Sequence, residues 1–292
     1  MTLGDLTGLS KPLTKLVEVV AQGIGAVYNP HGTIRQAKAD AKASLILADA
    51  DIQKRELLER AFTRIAHVEI ARQENIERIV EIAQQKLPPE VDPAPVQQDW
   101  INHFFSSVQD VSSEDLQKIW GKVLAGEVAH PGAYARRTIE FLKTVSAEEA
   151  EVLRKVLSVC FTDPGGWHFF FEDRATLAAV RAKVGNIDWQ RHLIDIGLVS
   201  SESAFWPLSM LNGRLIDFDG VQYLMRAPAP PAAAPNKMFQ IPELVVTTRS
   251  LTSIGQQIST VASDSLARDA SLIDKINVEL APLQVSIERQ QA

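Results

Sequence analysis

The residues of this chain that could do chemistry are few and scattered. An H-E-x-x-H sequence, a Cys/His set with zinc-ligand spacing, a phosphate-binding glycine loop and a G-x-S-x-G nucleophile elbow are all absent. The six histidines stand far apart, so only folding could gather them around a metal ion or a substrate: His31, His67, His103, His130, His168 and His192. We therefore predict no catalytic residues, no cofactor-binding residues and no metal site.

The single cysteine, Cys160, cannot form an internal disulfide, which fits a reducing compartment. It follows the apolar residues Val156, Leu157 and Val159, and no base that could activate it is visible nearby in the sequence. We predict a buried structural thiol.

Asp217 and Asp219 resemble the start of a calcium loop, but Val221, Tyr223 and Met225 stand where further oxygen ligands are needed. An Asp-Gly pair between two strand-like runs instead predicts a hairpin with a two-residue turn at Asp219-Gly220.

One local cluster combines basic and aromatic side chains. Tyr134, Arg136 and Arg137 lie close to His130 and could contact a phosphate or an acidic partner, although a solvated helix start explains them as well. Arg191 lies on the second helix of a predicted helix-turn-helix, residues 188–196, where the charges balance. A helix that reads DNA usually carries several cations, so this helix favours a protein contact.

Composition gives the class of protein. The 292 residues suffice for about two domains, and 46% hydrophobic with 23% charged residues is ordinary for a globular chain. The net charge of −6 disfavours, without excluding, a nucleic-acid partner. The N-terminus does not resemble a secretory signal, and no run is long and apolar enough to span a membrane. We expect a cytoplasmic protein.

The front of the chain is predicted to be helical. Residues 1–32 contain an amphipathic helix that could pack internally, dock on a partner or lie on a membrane surface. Residues 33–87 contain no glycine or proline and predict a long helix that pairs with another chain, or a hairpin that bends near residues 49–53. The apolar seam proposed for self-association includes Leu45, Ile52, Leu58, Phe62 and Ile65.

The rest of the chain is predicted to be mainly α, with some sheet. A proline-rich linker, residues 88–95, precedes a compact helical bundle over residues 97–161 with capping boxes at Ser112/Asp115 and Ser146/Glu149. Trp120 lies on an apolar helix face of this bundle and is a candidate interaction residue, as are Tyr134, Arg136, Arg137 and Arg191. Residues 162–265 predict a small α+β region with helix, turn, helix and hairpin in winged-helix order, and residues 266–292 a tail.

Two segments, together with the alanine-rich charged helix that follows the first of them, resemble a bacterial family of unknown function. The first is LSKPLTKLVEVVAQGIGAVYNP, residues 9–30, and the second is DLQKIWGKVLAGEVAHPGAYARRTIEFLK, residues 115–143. The second contains the family-like core of Trp120, Val123, Leu124, Ala125, Gly126, Glu127, Val128, Pro131, Gly132, Tyr134, Arg137, Thr138, Ile139, Phe141 and Leu142. A later pattern, Ile196 to Val199 followed by Leu251 to Gly255, is similar to the winged-helix ends of abortive-infection-like proteins. The resemblance implies a bacterial or phage-related protein with a role in anti-phage defence, and it supplies no catalytic residue.

Three functions remain open. The protein could be a non-enzymatic interaction, sensor or scaffold protein that forms a homo-oligomer or binds a second protein. It could be a winged-helix DNA-binding regulator that uses Arg191. It could also be a peripheral membrane protein that uses residues 11–28.

Overall fold

The computed structural model describes residues 10–24, 52–185, 188–228, 245–262 and 268–290, without the side chains of residues 52, 53 and 147. The predicted seam residue Leu45 and the side chain of Ile52 therefore lie outside the described part. The chain forms two compact units, residues 1–144 and residues 145–292. The helical bundle predicted over residues 97–161 spans the division between them.

Five helices make up the described part of the first unit: α1 Lys11–Ile24, α2 Ile52–Lys86, α3 Gln98–Val108, α4 Glu114–Ala129 and α5 Arg136–Thr144. The core forms around the aromatic face of α3, where the ring centroids of Trp100 and Phe104 are 4.9 Å apart in a stacked pair and those of Phe104 and Trp120 of α4 are 5.5 Å apart in a T-shaped pair. These rings are buried. The apolar spacing of α3 and α4 therefore positions the rest of the unit.

The second half of α2 packs closely on α4. Ile76, Ile79 and Ala83 are buried on one face of α2. A Cβ atom at Gly121 of α4 would lie 2.5 Å from Cγ2 of Ile82, so a glycine is needed for the two helices to approach this closely.

The proline segment 88–95 does not separate two units as its composition predicts, because it lies inside the first unit. The backbone N–H of Asp92 donates to the carbonyl of Ala129 at 2.8 Å, and the ammonium of Lys15 donates to the carbonyl of Asp92. Val96 is buried. Extended proline-rich chain leaves its carbonyls free for such contacts, so the segment forms part of the unit.

The second unit combines helices with an antiparallel sheet. Its α-helices are α6 Ala147–Leu157, α7 Arg174–Val184, α8 Trp189–Asp195, α9 Ser253–Ala262 and α10 Ser271–Leu280. Its strands are β1 Phe161–Thr162, β2 His168–Phe171, β3 Ala204–Pro207, β4 Leu215–Phe218, β5 Val221–Arg226, β6 Val245–Ser250 and β7 Ser286–Arg289, with short 3₁₀ turns at Leu208–Met210 and Ala281–Leu283. The strand order is β3-β6-β2-β1-β4-β5-β7.

The sheet packs through aromatic side chains. Phe161 of β1 lies 5.1 Å from Phe171 of β2 and 4.7 Å from Phe218 of β4, measured between ring centroids. All three rings are buried. Phe169, Phe170 and Phe171 of β2 are buried, His168 at its start is half-buried, and Trp167 just before the strand is exposed.

The hairpin of β4 and β5 is confirmed in detail. Phe218 pairs with Val221, so Asp219 and Gly220 form a two-residue turn, with φ angles of 59° and 73°. The Oδ1 atom of Asp217 accepts a hydrogen bond from the N–H of Gly220 at 3.0 Å. Turn geometry therefore accounts for the acidic pair that resembled a calcium loop.

Helix starts follow the sequence in part. Ser146 and Glu149 form the predicted capping box of α6, and the predicted helices of the second unit occur as α7 and α8, with Asp173 and Asp188 as N-caps. The capping box predicted at Ser112 is wrong, because α4 has Ser113 as its N-cap, without a side-chain cap hydrogen bond. The order helix, helix, hairpin is present, but it belongs to a sheet of seven strands.

Candidate interaction surface

Helix α2 divides into two halves at Arg72. The guanidinium of Arg72 binds Asp110, with Nε 2.8 Å from Oδ1, and Glu69, with Nη1 3.0 Å from Oε1. One turn later, the amide of Asn75 donates to the carbonyl of Gln109 at 2.9 Å. These contacts tie α2 to the loop between α3 and α4. Packing on α4 follows downstream, and residues 54–71, here called the projecting half, precede it.

An apolar stripe runs along the projecting half. Leu57, Ala61, Ile65 and Val68 follow one another at steps of three or four residues and so share one face of the helix. Leu57 is 58% exposed, Ile65 52% and Val68 38%. The same spacing continues through Arg72, Ile76, Ile79 and Ala83, of which the last three are buried. The stripe is therefore the upstream extension of a core-facing helix face, and it is largely open to solvent.

The predicted seam residues of the described chain lie on or beside this stripe. Ile65 is part of the stripe, and Leu58 and Phe62 are half-buried along its edge. Ile70 is 49% exposed and lies on a different side of the helix. The projecting half thus carries apolar side chains that the described residues leave accessible.

The other predicted interaction residues lie elsewhere. Trp120 is fully buried, and Tyr134 is buried with its ring against Gly126, so both side chains belong to the interior of the first unit. Arg136 and Arg137 are exposed at the start of α5, and Nη1 of Arg136 lies 3.9 Å from Oδ2 of Asp99. The structure does not bring these four residues together with the stripe.

Glu127, which has no role predicted from the sequence, lies at the centre of the family-like core. Its carboxylate is buried, and it accepts hydrogen bonds from the backbone N–H of Gly132 at 2.7 Å and of Tyr134 at 2.9 Å. Burial raises the pKa of this carboxyl above its ordinary value, while the hydrogen bonds oppose the shift. Glu127 therefore stabilises the turn after α4. The sequence signal that could have identified this role is a glutamate on an apolar helix face followed closely by a Pro-Gly turn.

The groups that could act as nucleophiles are constrained by burial. Burial raises the pKa of the Cys160 thiol to about 12, and its Sγ atom lies 3.4 Å from the carbonyl oxygen of Val156. Ser259 is also buried, and its Oγ atom lies 3.2 Å from Nδ1 of His168. The amide of Gln256 holds both backbone groups of His168 and lies 2.9 Å from the same Nδ1 atom. The arrangement secures β2 against α9.

Metal and nucleic-acid chemistry can be assessed over the same residues. Among those that the structure describes, no group of three or more His, Cys, Asp or Glu side chains could hold a metal ion. On α8, Nε of Arg191 lies 3.7 Å from Oδ2 of Asp195, and Nε2 of His192 lies 3.2 Å from Oε1 of Glu149. Arg191 and His192, the two side chains of α8 that could contact DNA phosphates, therefore each have an acidic neighbour.

Helix α1 uses its apolar face within the first unit. Leu16, Val19 and Val20 are buried, and Gly23 abuts the ring of Phe105 on α3. A groove of about 360 Å³ runs between α1 and α2, with Leu13 and other apolar residues on one wall and carboxylates on the other. Over the described ranges, every helix is too short or too polar to cross a bilayer.

Comparison with known proteins adds one family. Residues 59–172 match the family described as "Protein of unknown function (DUF2806)". The match begins within the projecting half of α2, includes the core around Glu127 and ends just after β2. No curated protein and no solved structure matches the chain. The matched range thus includes most of the candidate surface and the helices that position it. The family description names no activity.

Proposed function

We propose that this chain is a non-enzymatic interaction protein that self-associates through the apolar stripe of the projecting half of α2. The observation that carries the proposal is the continuity of the stripe with a buried face. Downstream of Arg72 the face is covered by the body of the first unit, whereas upstream Leu57, Ile65 and Val68 are exposed. Exposed apolar surface of this kind marks contact sites in soluble proteins.

Energetics favour covering the stripe. Full burial of one side chain the size of leucine or isoleucine contributes about 1.5–3 kcal/mol. The three stripe side chains of each partner are 38–58% exposed, so covering each one contributes about half of that value, and the six together are comparable with the lower estimates of the entropic cost of association. Isolated helices of this length are marginal in water, so packing would also stabilise the projecting half itself.

A second copy of the chain is the occupant that the stripe itself favours. Two copies present stripes of identical length. The small Ala61 lies between the larger Leu57 and Ile65, so a large side chain of one copy can pack against the small position of the other. A narrow apolar stripe along one helix is covered well by a second helix of the same length.

The test is the mass of the full chain in solution, measured by sedimentation equilibrium over a wide concentration range. We expect a dimer, dissociation in Ile65→Glu, and a dimer in the control Thr63→Glu, which adds the same charge on another side of the same helix. A monomer at every concentration would sink the proposal. A monomer whose thermal stability falls in Ile65→Glu would show that the same chain covers the stripe.

Two alternatives have weaker support. A winged-helix DNA-binding role is opposed by the acidic neighbours of Arg191 and His192 and by the net charge of −6. A membrane-surface role for α1 is opposed by the burial of Leu16, Val19 and Val20. The anti-phage role remains part of the proposal through the family resemblance alone, and the cytoplasmic location through the sequence features given above.

A further inference from the structure

We infer that two copies pair with their α2 helices antiparallel and that Lys54 of each copy docks beside Glu69 and Asp110 of the other. This inference rests on the proposed function, because it specifies the arrangement of the same contact. It follows from the position of α4, from the order of side chains along the stripe and from the charges at the end of the projecting half.

The position of α4 excludes a parallel pair. The stripe and the surface that packs on α4 are the same face of α2, divided at Arg72. A partner helix that ran parallel in register would carry its own residues after Arg72 into the space that the α3–α4 loop and α4 occupy. An antiparallel partner instead presents its residue 54 at this point.

The order of apolar residues fits the antiparallel direction. Leu57 and Val68 are equidistant from a point between Phe62 and Thr63, and Ala61 and Ile65 are centred at almost the same place. Two antiparallel copies therefore set Leu57 against Val68 and the small Ala61 against the larger Ile65. The overlapping residues 54–71 span about 27 Å, at about 1.5 Å per residue.

The charges at the end of the overlap are complementary. The same register brings Lys54 of one copy opposite Arg72 of the other. Arg72 shares its one positive charge between the carboxylates of Glu69 and Asp110, whose side chains are 62% and 64% exposed. One negative charge is left over at this position. The exposed ammonium of Lys54 can neutralise it, and the two-fold symmetry makes the contact twice.

Disulfide trapping tests the direction in the full chain. Leu57→Cys mixed with Val68→Cys should give a cross-linked heterodimer under mild oxidation, whereas Leu57→Cys alone should not cross-link, because its two copies of residue 57 lie about 17 Å apart along the antiparallel pair. Cys160 is fully buried and does not compete. Self-linking of Leu57→Cys would overturn the antiparallel arrangement.

Charge reversal tests the Lys54 contact. Lys54→Glu and Asp110→Lys should each weaken the dimer about tenfold, because both symmetric contacts become repulsive, and an equimolar mixture of the two should restore it. Arg60→Glu, on another side of α2, is the matched control and should leave the dimer unchanged. Equal affinity in all variants would overturn the docking of Lys54 while the dimer itself stood. A wild-type monomer would instead contradict the proposed function.

Discussion

The carboxylate of Glu127 accepts a hydrogen bond of 2.7 Å from the backbone N–H of Gly132, five residues further along the chain. A second oxygen of the same group binds the N–H of Tyr134, whose carbonyl accepts the indole N–H of Trp100 at 2.8 Å. One buried acid thus connects the end of α4, the turn after it and α3. Glu127, Gly132 and Tyr134 of the family-like core gain a structural reason from this connection.

Replacing Glu127 should destabilise the first unit. Glu127→Ala leaves the buried N–H of Tyr134 and the part-buried N–H of Gly132 without this acceptor and should cost about 1–3 kcal/mol in urea unfolding. Glu127→Gln keeps one acceptor oxygen and should cost less. Glu114→Gln, exposed on the same helix, is the control. Equal stability of Glu127→Ala and the wild type would contradict the role of this carboxylate.

The pH dependence of the same variant has a definite sign. Because burial raises the folded-state pKa of Glu127 above 4.5, its contribution to stability is complete below that pH and is lost as the pH rises through the folded value. The stability difference between the wild type and Glu127→Gln should therefore be larger near pH 4.5 than near neutral pH.

Gly121→Ala should destabilise the contact between α2 and α4. Alanine ordinarily stabilises an exposed helix by up to about 1 kcal/mol relative to glycine. Here the added Cβ would lie 2.5 Å from Ile82 and 3.1 Å from the carbonyl oxygen of Ile79, so we expect a loss of about 1–3 kcal/mol in thermal unfolding. Lys118→Ala, exposed on α4, should change stability little. A stabilised Gly121→Ala would show that the two helices are not in close contact.

His168 should make the second unit sensitive to mild acid. Burial lowers the folded-state pKa of His168 below 6.5, with smaller opposing effects from Gln256 and Asp163. Its unfolded form therefore binds more protons, and stability should fall as the pH drops below about 6.5. His168→Gln removes this titration. The melting temperature of the variant should fall less than that of the wild type between neutral pH and mild acid, and an equal fall would refute the assignment.

The ion pair of Arg249 and Glu172 should be costly to break. Nε of Arg249 lies 2.6 Å from Oε1 of Glu172, both side chains are 11% exposed, and the guanidinium also donates to the carbonyl of Ser200. Arg249→Met leaves the largely buried carboxylate of Glu172 without its cation and should cost about 3 kcal/mol. Arg226→Met removes the exposed pair with Glu288 and should have little effect on the urea midpoint. Equal effects would show that burial does not strengthen the inner pair.

Local signals predicted much of the secondary structure. The Asp219-Gly220 hairpin and the capping box at Ser146 follow from chemistry within a few residues, and both are confirmed. β7 was missed because its residues 286–289 follow a helix and Pro282, and their strand character depends on pairing with the distant β5. Residues 88–95 have the composition of a linker but lie inside the first unit, because the fit of Gly121 on α2 depends on contacts between residues that are distant in the sequence.

The candidate site was predictable in part. Helical spacing identified Ile65, but it could not separate the exposed turns from those covered by α4, because that division depends on the contacts of Arg72 and Asn75 with a loop more than thirty residues away. Trp120 and Tyr134 carry the same apolar and aromatic character as surface anchors, and only their burial distinguishes them.

The projecting half of α2 continues without a break into the turns after Arg72, which pack in the hydrophobic core of the first unit. Its upstream turns do not pack on the core. Their amide protons should therefore exchange quickly with solvent in dilute samples and slowly in concentrated samples, where the dimer covers the stripe. Under the proposed function, helical order in this segment would rise with the local abundance of the protein.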